Sequence, residues 1–267
     1  RGMTRTVLRT RFESFGTSAY GVDGREDQYM TKIGLALGGG GRTGGAFHAG
    51  VLGALAQTAG WDSRNAQIVI GTSAGAITAA TLRAGMPLTD LMNRQLGQPL
   101  SSEGQVLINR ISRDARRLPE PGERKLAPAS PDLLRSFVRD LGSAHPGRVA
   151  AAALPEGRVS TAGIEASMGE LCGHTWPNAP LWITALRLSD GQRVVFGRDD
   201  DAGPRPPIGR AIAASCAIPG YFTPVAFDGD RYVDGGTTRL GHGPSLPVAS
   251  CTHREVAQFG SAQRSGR

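Results

Sequence analysis

Cysteine is scarce in this chain of 267 residues, which has only Cys172, Cys216 and Cys251, set far apart. No CxxC pair and no histidine at ligand spacing accompanies them, so neither a secreted disulfide framework nor a structural zinc site is expected. A reducing cytoplasm is the expected setting. Long apolar runs are missing too. None reaches the roughly 18 residues a spanning helix needs, and the early arginines lack the apolar stretch of a signal peptide. The chain is expected to be cytoplasmic, with membrane contact limited to the periphery. Aromatics make up 6% and interleave with no basic stripe, so nucleic acid is not an expected partner. The formal charge of +7 bears on solubility and on attraction to anionic membranes rather than on fold. It is spread over scattered arginines, most simply read as solvated faces. Oligomeric state is left open.

Glycine, by contrast, is abundant at 38 residues, and 39% of the chain is hydrophobic. That composition suits one large α/β domain with tight turns and close-packed helices. Lys32–Leu37 is a short apolar run stopping at Gly38, the pattern of a buried parallel strand. Ala46–Ala59 carries Phe47, Val51, Leu52, Leu55 and Ala59 on one helical stripe and closes at Gly60. Gln67–Ile70 is a second buried strand, and Ala74–Ala84 an alanine-rich helix. This βαβα order predicts a parallel sheet covered by helices. Leu88–Leu96, Pro131–Leu141, Ile164–Cys172 and Ile208–Ala214 read as further helices. Hairpins are expected around Asp190-Gly191 and Asp228-Gly229. Gln98–Pro131 is polar and proline-containing, and is expected to be a lid, insertion or mobile connection. Residues 1–30 read as a poorly ordered leader, 31–236 as the domain, and 237–267 as an atypical tail.

Three motifs carry chemistry. Gly71-Thr72-Ser73-Ala74-Gly75 has the G-x-S-x-G spacing of a nucleophile elbow, with a strand before it and a helix after it. The glycines let the turn close, and the helix dipole favours negative charge developing at Ser73. The bland alternative is an N-cap serine. After the first strand comes Gly38-Gly39-Gly40-Gly41-Arg42-Thr43-Gly44-Gly45. Successive glycine N–H groups there can form an anion nest, an oxyanion hole in acyl transfer, to which Arg42 adds charge. Gly39-x-Gly41-x-x-Gly44 also fits a dinucleotide fingerprint. That reading wants an acidic residue at the end of the second strand, where the serine elbow stands instead, with Asp62 lying before the strand. Last, Asp234-Gly235-Gly236 places a carboxylate at a strand end, where it can act as base toward Ser73 without histidine. Alone it is equally a plain Asp-Gly turn.

These motifs in this order resemble the patatin-like phospholipase family. Phe47-His48-Ala49-Gly50-Val51-Leu52 and Ser215-Cys216-Ala217-Ile218-Pro219-Gly220-Tyr221-Phe222-Thr223-Pro224 add to the likeness, which spans about residues 31–236. The resemblance implies a three-layer α/β/α sandwich with a mostly parallel sheet and a Ser-Asp dyad lipid acyl hydrolase needing no cofactor. By position it makes Ser73 the nucleophile and Asp234 the base. It gives the oxyanion hole to Gly39, Gly40, Gly41, Arg42, Thr43 and Gly44, and the substrates it implies are acyl esters of phospholipids or neutral lipids. The family loop usually has Lys or Arg where Thr43 stands, and the present form is similar to a bacterial subgroup with Thr there. Thr237–Arg267 does not follow the usual continuation and reads as truncated or altered.

Two other readings stay open at this point. A Ser-His-Asp esterase would use Ser73, Asp234 and His242 or His253, whereas His48 reads as a packing histidine. An impaired homologue would bind lipid or a protein partner without turnover, a reading the tail favours.

Overall fold

The structure, a computed structural model, describes residues 33–117, 120–123, 127–139, 146–198 and 204–239. The expected leader, and the tail from residue 240 on, lie outside them, as do His242 and His253.

The first strand, β1 (Gly34–Leu37), buries Leu35 and Leu37 and leads into α1 (Gly41–Ala59). Next come β2 (Ile68–Gly71) and α2 (Ala74–Arg83), then α3 (Leu88–Leu96) and α4 (Ser102–Asn109). After these follow α5 (Pro131–Arg139), α6 (Pro146–Ala153) and α7 (Ala162–Leu171). The chain then returns to the sheet through β3 (Leu181–Arg187) and β4 (Arg193–Phe196), crosses α8 (Ile208–Ser215), and finishes in β5 (Val225–Phe227) and β6 (Asp230–Asp234).

Strands β1, β2 and β3 pair in parallel, as the βαβα order requires. The rest joins antiparallel: β4 and β6 on β3, and β5 on β6. The β5–β6 turn puts both Asp228 and Gly229 in the left-handed region, at φ 52° and 74°, the two-residue hairpin geometry that the dipeptide predicts.

Alternation along β3 and β6 sends side chains into two helical layers. Ile183, Ala185 and Tyr232 join the main core with Ile208, Ala211 and Ile212 of α8 and Ala76, Ala79 and Ala80 of α2. Leu186, Leu188 and Val233 face the other way, onto Ala151 of α6 and Ala129. The result is a three-layer α/β/α sandwich around a mixed sheet. Small residues bring the helices close: a Cβ on Gly209 of α8 would lie 2.2 Å from the carbonyl oxygen of Glu165 in α7.

Several expectations change. Helix α1 begins at Gly41 rather than Ala46, so most of the glycine-rich segment is helix and not loop. Phe47 and Ala59 lie on its exposed side, while His48, Ala49, Leu52 and Gly53 are the buried residues. The stripe assigned to Phe47 is therefore rotated by about one residue. Within 98–131, expected to be a lid, insertion or mobile connection, α4 forms with Ser101 as its cap, accepting from Gly104 N–H at 3.2 Å. Buried Asp90 in turn accepts Ser101 N–H at 2.9 Å, and Leu107 and Ile111, one turn apart, enter the core. Helix α6 carries no sequence expectation at all; its alanine run lacks a strong apolar period, and Ala151 and Ala152 are buried all the same.

Candidate active site

Ser73 ends the turn between β2 and α2 in a backbone conformation that non-glycine residues rarely adopt, φ 55° and ψ −121°. It occupies the N-cap position of α2, yet its side chain makes no capping hydrogen bond. A serine there ordinarily accepts an N–H from the first turn, so this hydroxyl is free for another partner. The Asp234 carboxylate lies near it, and the Ser73 side chain acts to lower the Asp234 pKa.

Sheet register explains how residues 161 positions apart meet. Ile183 pairs with both β2 and β4, and Ala185 with both β4 and β6. A strand has two edges, so β2 and β6 must share the same edge of β3, one beyond the other. β2 runs parallel to β3 and ends with Gly71 opposite Ile183. β6 runs the opposite way and ends with Asp234 opposite Ala185. The carboxyl ends of the two strands thus converge from opposite directions on Thr184, whose Oγ1 lies 2.6 Å from Thr72 Oγ1.

The close approach needs residues without side chains. A Cβ on Gly75 would sit 2.0 Å from the Leu37 carbonyl oxygen, and one on Gly71 2.6 Å from the Cα of Ala76. One on Gly235 would come 2.6 Å from the Thr184 carbonyl oxygen. Ala74 begins α2 and is buried.

Asp234 is 5% exposed, and burial raises its carboxyl above the usual carboxylate range, opposed by the Ser73 hydroxyl and the Gly236 N–H. The Gly236 N–H donates to Asp234 Oδ1 at 2.7 Å, and Thr237 Oγ1 donates to the Asp234 carbonyl at 2.7 Å.

The glycine-rich segment lies beside the serine: a Cβ on Gly39 would stand 3.5 Å from that of Ser73. Gly40, at φ 134°, is the N-cap of α1. Among the described residues, the N–H groups of Gly39, Gly40, Gly41, Arg42 and Thr43 meet no protein acceptor. They are unsatisfied donors at a helix N-terminus, which attracts negative charge. Gly44 differs from these five. Its N–H is committed to the Gly40 carbonyl at 2.9 Å, and its lack of a side chain serves packing, since a Cβ would meet the Gly39 oxygen at 2.9 Å. The side chain of Arg42 is exposed.

Two backbone partners of Ser73 and Asp234 carry no role in the sequence reading. Ser215, fully buried at the end of α8, accepts the Ser73 N–H on its Oγ at 2.9 Å. Two residues on, the Ala217 carbonyl accepts the Asp234 N–H at 2.9 Å. The only signal for either is their place in the Ser215–Pro224 likeness. Thr184 has no sequence signal. Cys216, between them, is buried, and both burial and the nearby Asp234 charge push its thiol up, leaving it a neutral packing group. His48 has its Nδ1 3.3 Å from Thr78 Oγ1, and burial lowers its pKa.

No curated protein matches the chain. Among solved structures, it is similar to VipD from Legionella pneumophila at 16% identity over 84% of this chain and 49% of that one, with a TM-score of 0.42. The type III effector protein ExoU is similar at 22% identity over 71% of this chain and 40% of that one, TM-score 0.34. In its heterodimeric complex with SpcU from Pseudomonas aeruginosa the figures are 21%, 71%, 37% and 0.32. The chain spans half or less of the length of these proteins. The model of the patatin-like phospholipases matches residues 35–239, a stretch that holds the glycine-rich helix start, the serine elbow and the aspartate at the end of β6. The chain therefore belongs to the patatin-like phospholipase family.

Proposed function

We propose that this protein is a serine lipid acyl hydrolase in which Ser73 is the nucleophile and Asp234 the general base. The observation that carries the reading is a serine on a strained strand-to-helix turn set beside a buried carboxylate whose pKa its side chain acts to lower. Ser73 Oγ attacks the ester carbonyl carbon while its proton passes to Asp234. The carbonyl oxygen becomes an oxyanion beside the free N–H groups of Gly39, Gly40 and Gly41 and the α1 first turn at Arg42 and Thr43. Each well-aimed donor of this kind contributes about 3 kcal/mol to the transition state. The acyl–oxygen bond to the alcohol then breaks, and the departing alkoxide takes the proton from Asp234. Water repeats the sequence: Asp234 accepts its proton, the acid is released, and the proton returns to Ser73.

Phospholipid or neutral-lipid acyl esters are the proposed substrate class. Leu154, Ile218 and Tyr221 support contact with a lipid surface. All three are exposed large apolar residues, and they cluster just beyond the Ala217 carbonyl, with Leu154 against Gly220. The net charge of +7 favours an anionic surface.

A fluorophosphonate probe tests the chemistry. The folded protein is expected to be labelled, and Ser73→Ala to abolish both labelling and ester turnover, a loss of several orders of magnitude. Folded protein that takes no label would favour a lipid-binding module instead.

A further inference from the structure

We infer that Ser215 is a positioning residue for the dyad, acting through the backbone of Ser73. The inference rests on the acyl hydrolase reading and deepens it.

Ser73 has an N–H that α2 cannot use, because the residue sits outside the helix with positive φ. That N–H points at Ser215 Oγ, 2.9 Å away. An acceptor fixed at this point holds the peptide before Ser73, and with it the rotation of the elbow that sets the direction of Cα–Cβ. Ser215 is itself held: it is the last residue of α8, fully buried, with Ala213, Ala214 and Ala217 also at 0% exposure around it. The same three-residue segment grips the other half of the dyad, since the Ala217 carbonyl accepts the Asp234 N–H. Ser215, Cys216 and Ala217 thus form a strap with one hydrogen bond to the backbone of the nucleophile and one to the backbone of the base.

Such a strap has a mechanistic consequence. β2 and β6 meet end to end and are not hydrogen-bonded to each other along the shared edge of β3, so the sheet alone leaves the gap between their ends weakly specified. The strap spans it. Misplacement of reacting groups by about 1 Å costs on the order of a hundredfold in rate, so removal of one anchor should act on turnover rather than on binding.

The test compares Ser215→Ala and Ser215→Cys with wild type on a soluble short-chain ester. Cysteine keeps most of the volume and weakens the acceptor, so it serves where alanine fails to fold. The expected result is a kcat lowered about ten- to a hundredfold, with KM within about twofold. The rate of fluorophosphonate labelling per folded molecule should fall in step. The acid limb of the pH profile should also move to higher pH, because the Ser73 hydroxyl lowers the Asp234 pKa and a displaced hydroxyl no longer does so. A purely structural residue would leave that limb in place. Wild-type labelling and an unmoved pH profile in folded Ser215 variants overturn the inference, as does a loss that only tracks the folded fraction. Ser73-dependent labelling that ignores Ser215 removes this inference alone. Wild-type protein without Ser73-dependent labelling removes both.

Discussion

At the scale of single residues, Asp234 holds two properties in tension. In the proposed mechanism its carboxylate must be ionised to take a proton from Ser73, yet burial favours the neutral form and raises its pKa. A raised folded-state pKa contributes stability that is fully present below the unfolded value and is lost as pH rises through the folded one. Asp234→Asn removes that loss while its amide oxygen still accepts the Gly236 N–H. The variant is expected to lose about a hundred- to ten-thousandfold in ester hydrolysis, the range of a general base. Its melting temperature should match or exceed wild type near neutral pH, and the advantage should shrink toward acid pH. Calorimetry across pH with parallel rate measurements checks this. Near-full turnover by the asparagine variant would take Asp234 out of the mechanism.

Elements place these residues, and glycines decide how near the elements come. The N-terminus of α2 is pressed against the end of β1 through Gly75, where a methyl group would stand 2.0 Å from the Leu37 oxygen. Backbone cannot give way as a flexible side chain can. Gly75→Ala is expected to destabilise the domain by about 1–3 kcal/mol or more and to tilt the elbow, lowering activity beyond the loss of folded protein. Gly38, one loop away, has nothing within 4 Å of a Cβ and no left-handed φ. Gly38→Ala should change stability by no more than about 0.5 kcal/mol. Urea unfolding of the two variants separates a glycine required by contact from one that is not.

For the molecule as a whole, the proposed catalysis on a lipid depends on how Ser73 and Asp234 meet a surface. Among the described residues no helix is long and apolar enough to cross a membrane, so the proposed contact is through exposed side chains near the site. Leu154→Ser combined with Tyr221→Ser is expected to lower hydrolysis of phospholipid in anionic vesicles by about tenfold or more, since each buried apolar side chain contributes about 1.5–3 kcal/mol. Turnover of a soluble short-chain ester should remain within about twofold. Equal loss on both substrates would place the two residues in the catalytic machinery instead, and unchanged vesicle hydrolysis would move the lipid contact elsewhere.

The sequence by itself determined the strand-loop-helix and strand-elbow-helix units, because apolar runs that stop at glycine, followed by alanine-rich helices, allow little else. Fold class followed from their order, and Ser73 and Asp234 from motif spacing and the family likeness. What it could not determine was contact between segments distant in sequence. The start of α1 at Gly41 was hidden because glycine disfavours helix locally, and the first turn forms where Gly44 bonds back to the Gly40 carbonyl and sits close to Ala74. Helix α4 was hidden because its capping serine is anchored on Asp90, eleven residues back and buried. Above all, no local pattern shows β2 and β6 sharing one edge of β3, or the Ser215 strap across their ends. Those are consequences of register and of hydrogen bonds between separate elements, one of them between residues 142 positions apart, which only the tertiary structure decides.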